Sequence, residues 1–175
     1  MTELLLTFET YPGRTLTLAL FSDCKNVKDV RTAITDSSAP EFAYINASMI
    51  ADPFVVHLAA YRALAAESSG SMSTKSLHTE LIYGISGTKH IAESFRRYGV
   101  TEECTTLLAA RFDCKPEELE AAKSRIQGTP LALSELAALA DLDLIDKYYK
   151  ITKAELQGRS RMDAIAFRIG AKDCL

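Results

Sequence analysis

The residues with the most reactive side chains are three histidines (His57, His78, His90) and four cysteines (Cys24, Cys104, Cys114, Cys174). Their spacing assembles no metal site, because no Cys-x-x-Cys pair occurs and the histidines are too far apart in sequence. The cysteines are therefore read as reduced thiols in a chain large enough to fold without disulfides. Asp52, His78 and Glu80 are the candidates for acid–base work, which requires groups held within hydrogen-bonding reach of each other. Taken singly, Asp52 before Pro53 is a helix cap and Glu80 a first-turn acid. Phosphate-loop, dinucleotide-binding, zinc-protease and nucleophile-elbow signatures are all missing, so no cofactor is expected.

Charge carries more information than the catalytic candidates. The net charge of −3 gives no overall attraction to nucleic acid, but the basic residues are unevenly placed. Lys75, Lys89, Arg96 and Arg97 outnumber the acids of their segment. So do Lys150, Lys153, Arg159, Arg161, Arg168 and Lys172, whereas the stretch from Asp113 to Asp146 is acidic. Two basic segments brought together by folding form a phosphate-facing patch. At Gly87-Thr88-Lys89-His90, Gly87 is expected to end one helix and Thr88 to cap the next, and free N–H groups at a helix start attract anions. Gly84-Ile85-Ser86-Gly87 has the spacing of a KH-domain loop but lacks its basic residues.

These groups need a scaffold, and the apolar periodicity supplies one. Leu4–Phe8 and Leu16–Phe21 are expected strands about a turn at Tyr11-Pro12-Gly13. A helix is expected over Asn26–Thr35, and a short extended piece around Phe42–Ile45. Asp52-Pro53 opens a helix running to Ser68-Ser69-Gly70-Ser71. Leu77–Ile85 and Ile91–Tyr98 follow as tandem helices, and Thr105–Phe112 as a buried strand. Pro116 starts a further helix that Gly128-Thr129-Pro130 ends. Ser134–Leu139, Leu142–Lys150, a turn at Thr152–Glu155 and a last helix from Ser160 to Gly170 complete the pattern.

The expected fold is α+β: one domain over 1–175, with a small, mostly antiparallel sheet packed by about seven or eight helices. Hydrophobic residues make up 47% of the chain and alanines number twenty-four, which suits a helix-rich globule. No apolar run approaches the roughly 18–20 residues of a membrane helix. Met1–Leu6 carries an acid and no basic residue, so it makes a poor secretory signal. A soluble intracellular protein is expected.

The order of several short stretches resembles the TPRKB family, the kinase-binding subunits of the KEOPS (EKC) tRNA-modification complex. They are Ile45-Asn46 with Ile50, Asp52-Pro53-Phe54, Leu77 with Thr79-Glu80-Leu81-Ile82, and Ile91 with Glu93. Tyr98-Gly99-Val100, Tyr149-Lys150, Asp163-Ala164-Ile165 and Lys172-Asp173-Cys174-Leu175 continue the series. The likeness spans nearly the whole chain, although Asp113–Pro130 does not match. It implies a non-catalytic subunit that binds the N-lobe of a small atypical kinase and, through it, meets a sugar-kinase-like catalytic subunit. It also implies support for threonylcarbamoyladenosine formation in tRNA. Archaeal members hold the single-stranded 3′ CCA end of tRNA, and their glycine-threonine-basic junction resembles Ser86–Ile91 here.

On this basis Lys75, His78, Gly87, Thr88, Lys89 and His90 are expected to contact tRNA, with a base stacked on His90 or Tyr83. Ile165, Ala166, Phe167 and Ile169 are expected to form the kinase interface, because the last helix carries apolar residues on more than one face. The competing expectations are a stand-alone tRNA-binding module and a small enzyme using Asp52, His78 and Glu80.

Overall fold

In a computed structural model describing residues 3–34 and 40–174, the two N-terminal apolar runs pair as strands β1 (Glu3–Thr7) and β2 (Thr15–Ser22). Helix α1 (Val27–Ile34) and strand β3 (Ala43–Asn46) follow, then a 3-10 turn over Ala47–Met49. Met1, Thr2, Leu175 and Thr35, the last residue of the first expected helix, lie outside the described residues. Asp52 starts the longest helix, α2 (Pro53–Ser69): its Oδ1 accepts from the Phe54 N–H at 2.8 Å, and Pro53 has no donor to leave unpaired. Helices α3 (Leu77–Ile85) and α4 (Ile91–Tyr98) lead to strand β4 (Leu107–Phe112).

Helix α5 (Pro116–Arg125) is followed by strand β5 (Thr129–Leu131), then a 3-10 turn over Leu133–Glu135 that runs into α6 (Leu136–Leu139). Helices α7 (Leu142–Tyr149), α8 (Glu155–Gly158) and α9 (Arg161–Gly170) precede a final 3-10 turn, Lys172–Cys174. Among the described residues there are nine α-helical segments, two of them (α6 and α8) single turns. The expected α+β class is the one observed.

All strand pairs are antiparallel, in the order β1-β2-β4-β3. β5 pairs with Leu20–Ser22 while β1 pairs with Thr15–Ala19, so the two share one edge of β2 and β4 takes the other. Both faces of β2 are covered. Leu16, Leu18 and Leu20 face a core built with α2, α3, α7 and α9, and Ala19 and Phe21 face a smaller one built with α1 and α5. At about 1.5–3 kcal/mol per buried leucine, this central strand anchors the fold. β5 corrects the expectation that Gly128-Thr129-Pro130 merely ends a helix. Three residues are too few to show periodicity, and Pro130 is tolerated because β5 has one partner strand only. A side chain at Gly128 would come within 2.8 Å of both Cys24 Sγ and the Ser22 carbonyl, so glycine lets the strands meet.

Candidate functional site

Helix α3 has one sealed end and one open end. At its start, Ser76 Oγ accepts from the Thr79 N–H and Thr79 Oγ1 accepts from the Ser76 N–H, a reciprocal cap. Glu80 is buried, and its Oε2 accepts from both the N–H (2.8 Å) and the hydroxyl (2.7 Å) of Thr74. His78 Nε2 accepts from the Phe112 N–H at 3.2 Å, and its ring meets Phe112 edge-on. Burial, opposed only in part by Glu41, pulls the His78 pKa down to about 4, so the ring is neutral at pH 7.

Asp52, His78 and Glu80 are therefore each engaged in backbone or cap hydrogen bonds. The rise of α3, about 12 Å from Leu77 to Ile85, separates Lys75 and His78 from the Gly87–His90 junction. Lys75 is exposed at the sealed end. Of the six expected tRNA contacts, the structure groups the four at the junction and leaves these two apart.

The open end is capped from a distance. The Ile85 carbonyl accepts from the Tyr149 hydroxyl, and the Tyr83 carbonyl accepts from the Lys172 ammonium and from Ser86 Oγ. The Ser86 bond is local, but those from Tyr149 and Lys172 reach the helix-end carbonyls from far along the chain. Ser86, in extended conformation, is the capping residue, which corrects the expectation for Gly87. The missing Cβ matters for a different reason: at Gly87 it would stand 3.3 Å from Tyr149 Cδ1 and 3.7 Å from Arg168 Cβ. Thr88 is likewise not the cap of α4. Its Oγ1 accepts from the His90 N–H at 3.2 Å, and His90 occupies the cap position without a side-chain bond.

This junction forms one wall of a cleft of about 750 Å³. Arg97 and Tyr148 lie in it, and its other wall carries Lys150, Arg159, Phe167 and Arg168. The two basic segments of the sequence thus meet here, six basic residues against Glu93 and Glu155. Arg97 is paired with Glu93 and lies 4.4 Å from the centre of the Tyr148 ring; its Nε is buried with no hydrogen-bond partner among the described residues. Arg168 holds Glu155 through two bonds of 2.9 and 2.7 Å. Among the described residues no carboxylate lies within ion-pair distance of the exposed Lys89 and Lys150, so both ammonium groups can meet an anion.

Lys172, counted in sequence as part of the basic patch, is 1% exposed. Its Nζ lies 3.1 Å from the centre of the Tyr83 ring. Burial, reinforced by Arg62, lowers its pKa to about 7. It is a strut for the junction. Because it covers Tyr83, that ring is closed to a base and only His90 of the expected stacking pair is exposed.

The four residues expected to form an interface on α9 are divided between core and surface. Ile165 and Ile169 lie in the core at 1% and 0% exposure and Ala166 is half-buried, whereas Phe167 is 56% exposed. α9 packs against α2 through one face, and that face takes both isoleucines. The second basic segment was the sequence signal for Lys150, Arg159 and Arg168; no signal pointed to Phe167 as part of the cleft.

The geometry defines an α+β protein with a cationic, partly aromatic cleft at the open end of one helix. Residues 21–173 match the family model described as kinase binding protein CGI-121, and the chain belongs to that family. It is 31% identical over 167 residues to the EKC/KEOPS complex subunit TPRKB of Danio rerio, covering 94% of this chain and 95% of the relative. The EKC/KEOPS complex subunit CGI121 of Yarrowia lipolytica is 30% identical, with 89% and 90% covered. The corresponding subunit of Aspergillus fumigatus is 28% identical, with 77% and 75% covered. Among the described residues no helix is long and apolar enough to cross a membrane, and the four cysteines are free thiols.

Proposed function

We propose that this chain is a non-catalytic subunit of a KEOPS (EKC) complex. It docks on the N-lobe of the complex's small kinase and holds the single-stranded 3′ end of tRNA during threonylcarbamoyladenosine formation by the sugar-kinase-like subunit. The kinase half of this reading rests on the family description and the relatives' names. The tRNA half rests on one observation, the cleft that joins the Gly87–His90 junction to Lys150, Arg159 and Arg168. Two ammonium groups there, unpaired among the described residues, suit phosphates, and a single strand can follow a groove that a duplex cannot enter. The same reading expects the chain in the cytoplasm and nucleus.

The test compares intact tRNA with tRNA lacking its last three nucleotides, in filter binding to the full chain together with its kinase. Intact tRNA should bind at least about tenfold more tightly, and the double variant Lys89→Glu, Lys150→Glu should abolish that preference. Capture of the kinase at about 0.5 M salt, where the Debye length is a few ångströms, should be unaffected by the double variant. Equal binding of both tRNAs by the wild-type chain overturns the tRNA half; failure to capture the kinase overturns the other half.

A further inference from the structure

We infer that Phe167, with Arg159 beside it, is the platform on which a nucleobase of the bound single strand stacks. This inference rests on the tRNA reading of the cleft. α9 places Ala164, Ile165 and Ile169 in the core and leaves Phe167 in the cleft wall, 56% exposed. A protein-docking face would need neighbouring apolar groups around such a ring. Here the isoleucines that could supply them are buried, and the ring stands among Lys150, Arg159 and Arg168, the two arginines sharing Glu155. The Arg159 guanidinium is 5.6 Å from its centre, and Arg168 follows it in the chain.

The tyrosine rings of the cleft are already engaged, which leaves Phe167 and His90 as its exposed rings. Tyr148 carries Arg97 at 4.4 Å, and Tyr149 is buried with its hydroxyl on the Ile85 carbonyl. Tyr83, outside the cleft lining, carries Lys172. A flat π-surface among cations matches the two parts of a nucleotide, the base for the ring and the phosphate for the guanidinium and ammonium groups. Stacking of this kind tolerates different bases, so position in the strand, not base identity, selects the nucleotide held.

The experiment uses short single-stranded RNAs ending in CCA, with 2-aminopurine placed in turn at each of the last three positions. The chain has no tryptophan, so the probe's emission is read without interference. Wild type should quench the probe at one position. Phe167→Ala should abolish that quenching and weaken binding roughly 5- to 150-fold, the range of one stacked base. Phe167→Tyr should retain both.

Unchanged affinity and quenching in Phe167→Ala overturns the inference and leaves the cleft reading standing, with His90 as the remaining exposed ring. Unchanged RNA binding with lost kinase capture also overturns it and makes the ring a protein anchor. A wild-type chain that binds none of these RNAs, while Lys89→Glu leaves tRNA binding unchanged, refutes the cleft reading and this inference together. Circular dichroism of each variant confirms that the exposed substitution leaves the fold intact.

Discussion

The two ends of α3 carry similar chemistry, hydroxyls, a histidine close by and a lysine, and do opposite things with it. At the first end Thr74, Ser76, Thr79 and Glu80 bond one another within seven residues, and His78 turns inward to β4. At the second end the closing groups, Tyr149 and Lys172, come from far along the chain. Local capping leaves nothing for a ligand. Remote capping draws two basic segments together, and the cleft is the space between them. The difference shows that a site here depends on which end is closed from outside, more than on which residue types are present.

The largest effect should come from detaching the remote elements altogether. Ile165→Glu buries an unpaired charge at a fully packed position and should cost more than about 4 kcal/mol in urea unfolding. Phe167→Glu, two residues away and exposed, should stay within about 0.5 kcal/mol. Similar losses in the two variants would mean that α9 does not pack as described.

The two ends should also answer pH at different limits. At the sealed end, the unfolded chain protonates His78 near pH 6.5 and the folded chain only near about 4. The unfolded state therefore binds more protons in that window, and stability falls as pH drops through it. At the open end, folded Lys172 loses its proton near about 7 and the unfolded lysine near 10.5. Stability should accordingly rise with pH between those values and be flat, for this group, below 7. Thermal melts of His78→Gln should lose slope on the acid side only, and those of Lys172→Met on the alkaline side only. A wild-type curve flat through both windows contradicts both burials.

A smaller, sharper comparison sets Tyr149→Phe beside Ser76→Ala. The first leaves a buried carbonyl unpaired, about 1–3 kcal/mol, and the second removes a cap worth about 1 kcal/mol. Only Tyr149→Phe should also weaken RNA binding in the filter assay. Smallest of all is the salt test: Lys89→Ala should reduce the slope of log affinity against log salt by about 0.7, and Lys75→Ala should leave it unchanged.

What the sequence made legible follows the same division. Asp52-Pro53, the paired N-terminal strands and the start of α9 at Ser160 are set by neighbours a few residues away, and all are where their residues indicate. Gly87 looks like a helix terminator in sequence because nothing nearby shows that Tyr149 needs the space a Cβ would take. His78 and His90 look equivalent around the glycine until the rise of α3 separates them. Lys172 counts as surface charge until it is found against Tyr83, and Ile165 and Phe167 are alike in composition until α2 selects one face of α9. The short stretches of likeness skip Asp113–Pro130, although the family model, at residues 21–173, runs through this segment, which supplies α5 and the start of β5. Those elements serve the smaller core and the edge of β2, away from the cleft.

Strand β2, buried on both faces and bonded on both edges, also bears on how the chain is made. β1 is available to it at once, but β4 begins roughly eighty residues later and β5 later still. At about 5–20 residues per second, a ribosome leaves one edge of Leu-Thr-Leu-Ala-Leu-Phe without its partner for roughly 4–16 s. Such an apolar edge is a template for pairing between chains. Yield during synthesis should therefore depend on chaperone supply and elongation rate more than the stability of the finished protein suggests, and slowing translation between β2 and β4 should increase aggregation.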